Sequence, residues 1–299
     1  MTQLNDRNDW KNILQILADI REHQDYSGAK VDFIREQLQS GDERIRSAAA
    51  LAAGGCLFEP SITDLLIDIV EIDEFPPVRK AAIQSLSLLI HEGVLQNFED
   101  KIGSTTKLEY LEEWDELQYQ TLQEEYLRLK NLLFSIIEND LEEKEIREES
   151  LAAISDLGFL YEVRQWIEDF IDSDDLSSQL VALYAMGKYP HQWISHLAQF
   201  LNKDTPKPLL LESISSSYSS ESVELAIKIE GLLISKDPDV LSHALLTLAN
   251  INKTNNLGSI LQKYSLDQNE TVKKAAQDAL KHFTYKNFSD FMEKEFGLE

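Results

Sequence analysis

Short apolar runs recur along the chain with the period of a helix. IRSAAALAAGG begins at Ile45, VRKAAIQSLSLL at Val78 and IREESLAAISDLG at Ile146. SSQLVALYAMGK contains Leu180 and Val181, VLSHALLTLANI begins at Val240 and VKKAAQDALKHF at Val272. In each run apolar or small residues fall at i, i+3, i+4 and i+7, so they share one face of a helix and do not alternate as in a strand. Arg46 and Arg79 are 33 residues apart, Arg79 and Arg147 are 68 apart, and Val240 and Val272 are 32 apart. One repeat unit therefore underlies them all, with an unmarked copy between Arg79 and Arg147. A fainter copy, PLLLESISSSYS, occupies 208–219.

A second apolar helix precedes each run: VDFIREQL at 31–38, ITDLLIDIV at 62–70, VRQWIEDFI at 163–171, WISHLAQFL at 193–201, VELAIKIEGLL at 223–233 and LGSILQKY at 257–264. The corners between the two are short and polar (SGDER, DEFPP, NDLEEKE, DSDDLSS, NKDTPKP, SKDPD, LDQNE). They supply Asp, Ser and Asn for N-caps and Pro for the first helical turn. Asp237 is read as such a cap, with Pro238 as the first helical residue. Small residues including Ala48, Ala49, Ala52, Ala53, Ala81, Ala82, Ala275 and Ala276 let neighbouring helices approach closely.

The pattern resembles HEAT repeats, most closely the short bacterial kind also seen in bilin lyases. Asp42, Ile45, Arg46 and Ala49 match one copy of the Asp/Pro corner followed by Val-Arg-x-x-Ala; Pro77, Val78, Arg79 and Ala82 match a second. Ile146, Arg147, Leu157 and Gly158 match a third, Pro238, Val240 and Ala244 a fourth without the arginine, and Glu270, Val272, Lys273 and Ala276 a fifth with lysine in its place. The resemblance covers most of 28–285. It implies an all-α fold, an α-α superhelix of the HEAT/ARM-like solenoid class, and a structural role for Arg46, Arg79 and Arg147, bonded to acidic or carbonyl groups of the adjacent unit. The expected organisation is a single solenoid over 1–299, with an N-terminal cap at 1–27, repeats at 28–104, an irregular long-helix repeat at 105–140, repeats at 141–285 and a C-terminal cap at 286–299. Trp10, Ile13, Leu14, Leu17 and Ile20 form the stripe of the first cap; Phe288, Phe291, Met292 and Phe296 belong to a short last helix over 285–296.

The break in period is the most informative local feature. The segment 105–139 contains no proline or glycine, and Leu108, Leu111, Trp114, Leu117, Leu122, Tyr126, Leu129, Leu132, Leu133 and Ile136 recur at helical steps. It reads as one long helix, or two with a bend near Gln118–Gln120; thirty helical residues would reach about 45 Å. Seven carboxylates, from Glu109 to Glu125, fall within 17 residues. The same run is equally compatible with an enlarged repeat whose acidic face is merely solvated and whose Trp114 is buried.

Charge narrows the function. The chain carries 53 acidic and 28 basic side chains, a net of -25. Residues 1–200 hold 39 acidic and 17 basic groups, whereas 201–299 hold 14 and 11. Such a surface repels nucleic acid and anionic membrane. The only cysteine is Cys56, which excludes an intrachain disulfide and a thiolate metal site. A polar N-terminus and the lack of an 18-residue apolar stretch suit a cytoplasmic protein.

Catalytic signatures are missing: there is no HExxH, GxSxG or GxGxxG. His91-Glu92 is a single His-Glu pair, where the HEAT-like iron hydroxylases use several. Trp114, Trp166 and Trp193 lack the basic surroundings that HEAT-like DNA glycosylases need. Asp172, Asp174 and Asp175 lack the glycine and distant glutamate of a calcium loop and read as a helix corner. No cofactor, metal or catalytic residue is expected, and the protein is not read as an enzyme. The expectation is a scaffold or inhibitor that binds a basic partner protein through Glu112, Glu113, Asp115, Glu116, Glu145, Glu148 and Glu149, with Trp114 and Tyr119 as aromatic anchors. A bilin-lyase-like chaperone or transferase, and an immunity-type blocker of a nuclease, are the alternatives.

Overall fold

The computed structural model describes residues 9–57, 59–101 and 116–296, and all regular secondary structure among them is helical. The fold is an all-α stack of helix pairs, the solenoid class that the repeat implies. The chain divides into two compact units, Met1–Leu157 and Gly158–Glu299.

In the first unit α1 (Asp9–His23) packs on the inner helix of the first pair, α2 (Gly28–Gln37) with α3 (Glu43–Ala53). The next pair is α4 (Pro60–Ile72) with α5 (Pro76–Leu95). After the one-turn α6 (Phe98–Lys101), the third pair is α7 (Glu116–Glu138) with α8 (Lys144–Ala153). The inner helices α3, α5 and α8 lie side by side, and the outer helices α2, α4 and α7 form the second layer. Leu17 and Ile20 of α1 are buried, and the Arg44 guanidinium stacks on Trp10 at 4.2 Å, so α1 seals the first pair.

The second unit holds four pairs: α9 (Tyr161–Ile171) with α10 (Leu176–Met186), α11 (Ile194–Phe200) with α12 (Lys207–Ser216), α13 (Val223–Gly231) with α14 (Pro238–Ile251), and α15 (Leu257–Tyr264) with α16 (Glu270–Phe296). The inner helices α10, α12, α14 and α16 again stack in sequence. The short last helix expected over 285–296 is instead the continuation of the final inner helix, since α16 runs unbroken from Glu270 to Phe296. No proline or glycine stands between the two stretches to end it. Likewise α7 passes through Gln118–Gln120 as continuous helix; 105–115 lie outside the described residues.

The corners start their helices as the sequence indicates. Asp42 accepts from the Arg44 N–H, Asp175 from the Ser178 N–H, and Asp237 from the Asp239 and Val240 N–H groups. Of the aspartates before α10, Asp175 is therefore the capping group. Four residues past each of the first three inner-helix caps stands an arginine. Arg46 donates to the Asp73 carboxylate at 2.7 and 3.1 Å and to the Ser40 carbonyl at 2.9 Å. Arg79 donates to the Val70 carbonyl at 2.8 Å and forks onto Glu142 with two bonds of 2.8 Å. Arg147 donates to the Ile137 carbonyl at 2.9 Å and lies 3.3 Å from Asp140. Each ties the start of an inner helix to the end of its own outer helix or corner, and Arg46 and Arg79 also reach the next corner.

Inner helices touch through very small groups. A methyl added at Gly187 would stand 3.0 Å from the Ser216 backbone, and one at Gly54 would stand 3.3 Å from the Ser85 hydroxyl. The Ser85 hydroxyl donates to the Ala50 carbonyl at 2.7 Å, and that of Thr247 to the Ile214 carbonyl at 3.2 Å.

The Arg79–Glu142 pair is nearly buried, with side chains 12% and 15% exposed. The guanidinium holds the Glu142 carboxyl below its ordinary 4.5. The stability this adds is complete above pH 4.5 and is lost as pH falls through the lowered value. Arg79→Leu is expected to cost about 2 kcal/mol at neutral pH. The loss should shrink as pH falls below 4.5, because the pair's stabilisation fades there; urea unfolding at pH 7 and pH 3 checks it.

Candidate functional site

The sequence-derived contact residues belong to α7, α8 and the segment before them. Glu112, Glu113, Trp114 and Asp115 lie outside the described residues. Glu116 and Tyr119 fall in the first turns of α7. On α8, burial divides the three carboxylates. Glu145 is exposed and stands 3.7 Å from Lys80. Glu149 is half-buried, and burial pushes its carboxyl up, opposed by a hydrogen bond from Gln84 and by the Lys80 charge. Glu148 is buried, 3.8 Å from Lys144.

These contacts run along the seam where α5 and α8 lie together. Lys80 meets Glu145, Gln84 meets Glu149, and His91 Nδ1 meets Asp156 at 2.9 Å. The single His-Glu motif is thus resolved: His91 turns to an aspartate 65 residues away. His196 packs edge-on against buried Trp193 at 5.3 Å. Among the described residues no three His, Cys, Asp or Glu side chains stand close enough to hold a metal ion.

A denser acidic site lies on the outer layer, between α4 and α7. Arg128 of α7 donates to Asp64 at 2.7 Å and to Asp68 at 3.0 Å, both exposed carboxylates one turn apart on α4. Glu125, one turn earlier on α7, faces the same group. Its carboxyl is pushed up to about 7, first by burial and then by the Asp64 charge, against the opposing pull of Arg128. Three carboxylates therefore share one arginine. Glu125 was visible in the sequence as part of the acidic run, but its crowding was not, because Asp64 and Asp68 lie about sixty positions upstream and only the α4–α7 contact brings them near.

Sequence reading also missed Gln179. It stands four residues past the Asp175 cap, where the first three inner helices have arginine, and its amide donates to the Ser173 carbonyl at 2.8 Å and the Ile171 carbonyl at 3.4 Å. The same position with a different residue type was the available signal.

No known family model matches this chain, and no curated protein matches its sequence. Solved structures do resemble it. The X-ray structure of YibA of E. coli is similar at 14% identity over 93% of this chain and 93% of that one, with a TM-score of 0.45. A designed armadillo repeat protein is similar at 15% identity over 84% of this chain and 98% of its own, with a TM-score of 0.37. Another, solved in complex with the peptide (KR)4, is similar at 18% identity over 84% and 98%, with a TM-score of 0.33. The fold assignment stands on this chain's own caps, corners and inner-helix contacts.

Crowding at Glu125 has a measurable sign. Below pH 4.5 the group is protonated whether the chain is folded or not; above pH 7 the fold must hold it ionised against its surroundings. Glu125→Gln is expected to raise the melting temperature at pH 8 and to leave it unchanged at pH 4, as followed by circular dichroism.

Proposed function

We propose that this chain is a non-enzymatic binding scaffold, or a blocker, for a protein with a basic face, engaged through the acidic surface of 105–150. The observation that carries the reading is the shared arginine at α4–α7: Asp64, Asp68 and Glu125 have one cation among them, and burial plus like charge already hold Glu125 partly protonated near neutral pH. An arriving lysine or arginine would relieve that repulsion. In sequence, Glu112, Glu113, Asp115 and Glu116 flank Trp114 and precede Tyr119, a run that would offer both steering charge and aromatic anchors of the kind that dominate interface energies. Glu145 extends the acidic surface onto α8. Among the described residues no helix is long and apolar enough to cross a membrane.

A polycationic probe tests this directly. Association of an oligolysine peptide with the full chain is expected to slow when Glu112, Glu113, Asp115 and Glu116 are all changed to lysine. It should slow much less when Asp204, Glu221, Glu224 and Glu230, four exposed acids of the second unit, are changed instead. Both variants have the same net charge, so equal rates would reject the assignment of the site. The rate should fall with salt as the Debye length shortens to about 8 Å and below. Affinity should rise from pH 6 to pH 8, because the partner favours ionised Glu125; an affinity independent of pH over that range would remove Glu125 from the contact.

A further inference from the structure

We propose that a cavity in the second unit binds a small organic anion with an apolar body, its carboxylate or phosphate head held between Lys203 and Lys228. The cavity has a volume of about 570 Å³ and opens between the corner that leads into α12 and the end of α13. Its floor is apolar and already part of the core: Leu201, Leu210, Leu232 and Val240 are each no more than 6% exposed. Its rim carries Lys203, Lys207 and Lys228. A concave apolar pocket of a few hundred Å³ with a few convergent polar groups is the usual form of a small-molecule site.

The three lysines are not equivalent. Lys207 is committed to the fold, at 2.7 Å from both Asp237 and Asp239. Lys203 and Lys228 are exposed and have no carboxylate partner among the described residues. Asp237, the carboxylate on the cavity wall, is already engaged by Lys207 and by the first N–H groups of α14. The mouth therefore offers two uncommitted cations above an apolar floor, and an anion with a hydrocarbon or aromatic body satisfies both.

Gly231 is exposed at the end of α13 with φ -59 and ψ -24, ordinary right-handed helical angles that any residue adopts. A Cβ built there meets nothing within 4 Å. The backbone has no need of glycine, and glycine in a helix costs about 1 kcal/mol relative to alanine. Gly231 lines the cavity and a side chain there would enter open space, so this position can take a bulky residue without displacing its neighbours.

Octanoate and octyl phosphate, with octanol as the uncharged control, test the site by calorimetric titration of the full chain. At least one anion is expected to bind saturably, and the tighter of the two identifies the head group. Octanol should bind about tenfold more weakly, the loss of one charge-assisted contact. The double variant Lys203→Gln, Lys228→Gln should weaken the anions by about tenfold or more and leave octanol unchanged. Gly231→Phe should abolish binding of all three, with a melting temperature equal to or above the parent's. Failure of both anions to saturate at millimolar concentration, equal binding of octanol, or parental affinity in either variant would overturn the proposal.

Discussion

Stacked helix pairs hold together only if their inner helices come close enough for backbones to touch through hydrogen-sized gaps. Here that demand is met by glycine against serine at Gly54–Ser85 and Gly187–Ser216, and by hydroxyls of Ser85 and Thr247 that donate directly to carbonyls of the preceding inner helix. A hydroxyl at such a contact does two things: it is small, and it satisfies a helix carbonyl with its own hydrogen. Larger apolar groups, among them Leu86, Leu133, Ile167 and Leu245, are fully buried. The surfaces left outside this packing are free to carry charge, which is why so acidic a chain still has an ordinary core.

The arginines add direction to this packing. An apolar stripe alone would let one pair slide along the next. Arg46 and Arg79, forked onto Asp73 and Glu142, fix the end of one pair against the corner of the following one. Planar, bidentate pairing tolerates little displacement, so these contacts set register where hydrophobic burial does not.

Much of the fold was legible in local sequence because its determinants are local. Asp237 before Pro238 marks a helix start wherever it is placed, and the spacing of Arg46 and Arg79 reports a repeat without reference to any contact. The site was less legible for the converse reason. Nothing in the residues around Glu125 tells of Asp64, and nothing around Lys203 tells of Lys228; each meeting is made by tertiary packing across a corner. Gln179 was hidden differently, since a neutral amide can serve the same carbonyls as a guanidinium while breaking the motif by which the position was recognised. The merged last helix shows that a cap position does not dictate a separate element when no helix breaker precedes it.

The third pair of the first unit carries a consequence for how such chains change over time. α8 packs on α5 as α5 packs on α3, although 96–143 intervene between Leu95 and Lys144. The Arg79–Glu142 fork closes across nearly all of that interval. Loop-closure entropy grows only logarithmically, so doubling the intervening length would cost about 0.6 kcal/mol, less than the fork itself contributes. Phe98 of α6 and Leu122, Tyr126, Leu129 and Leu133 of α7 are buried in the stack, so what the stack can accept here is added length in the connections that flank these helices, not loss of the helices themselves, while its register stays fixed. New surface could be acquired there without renegotiating the core.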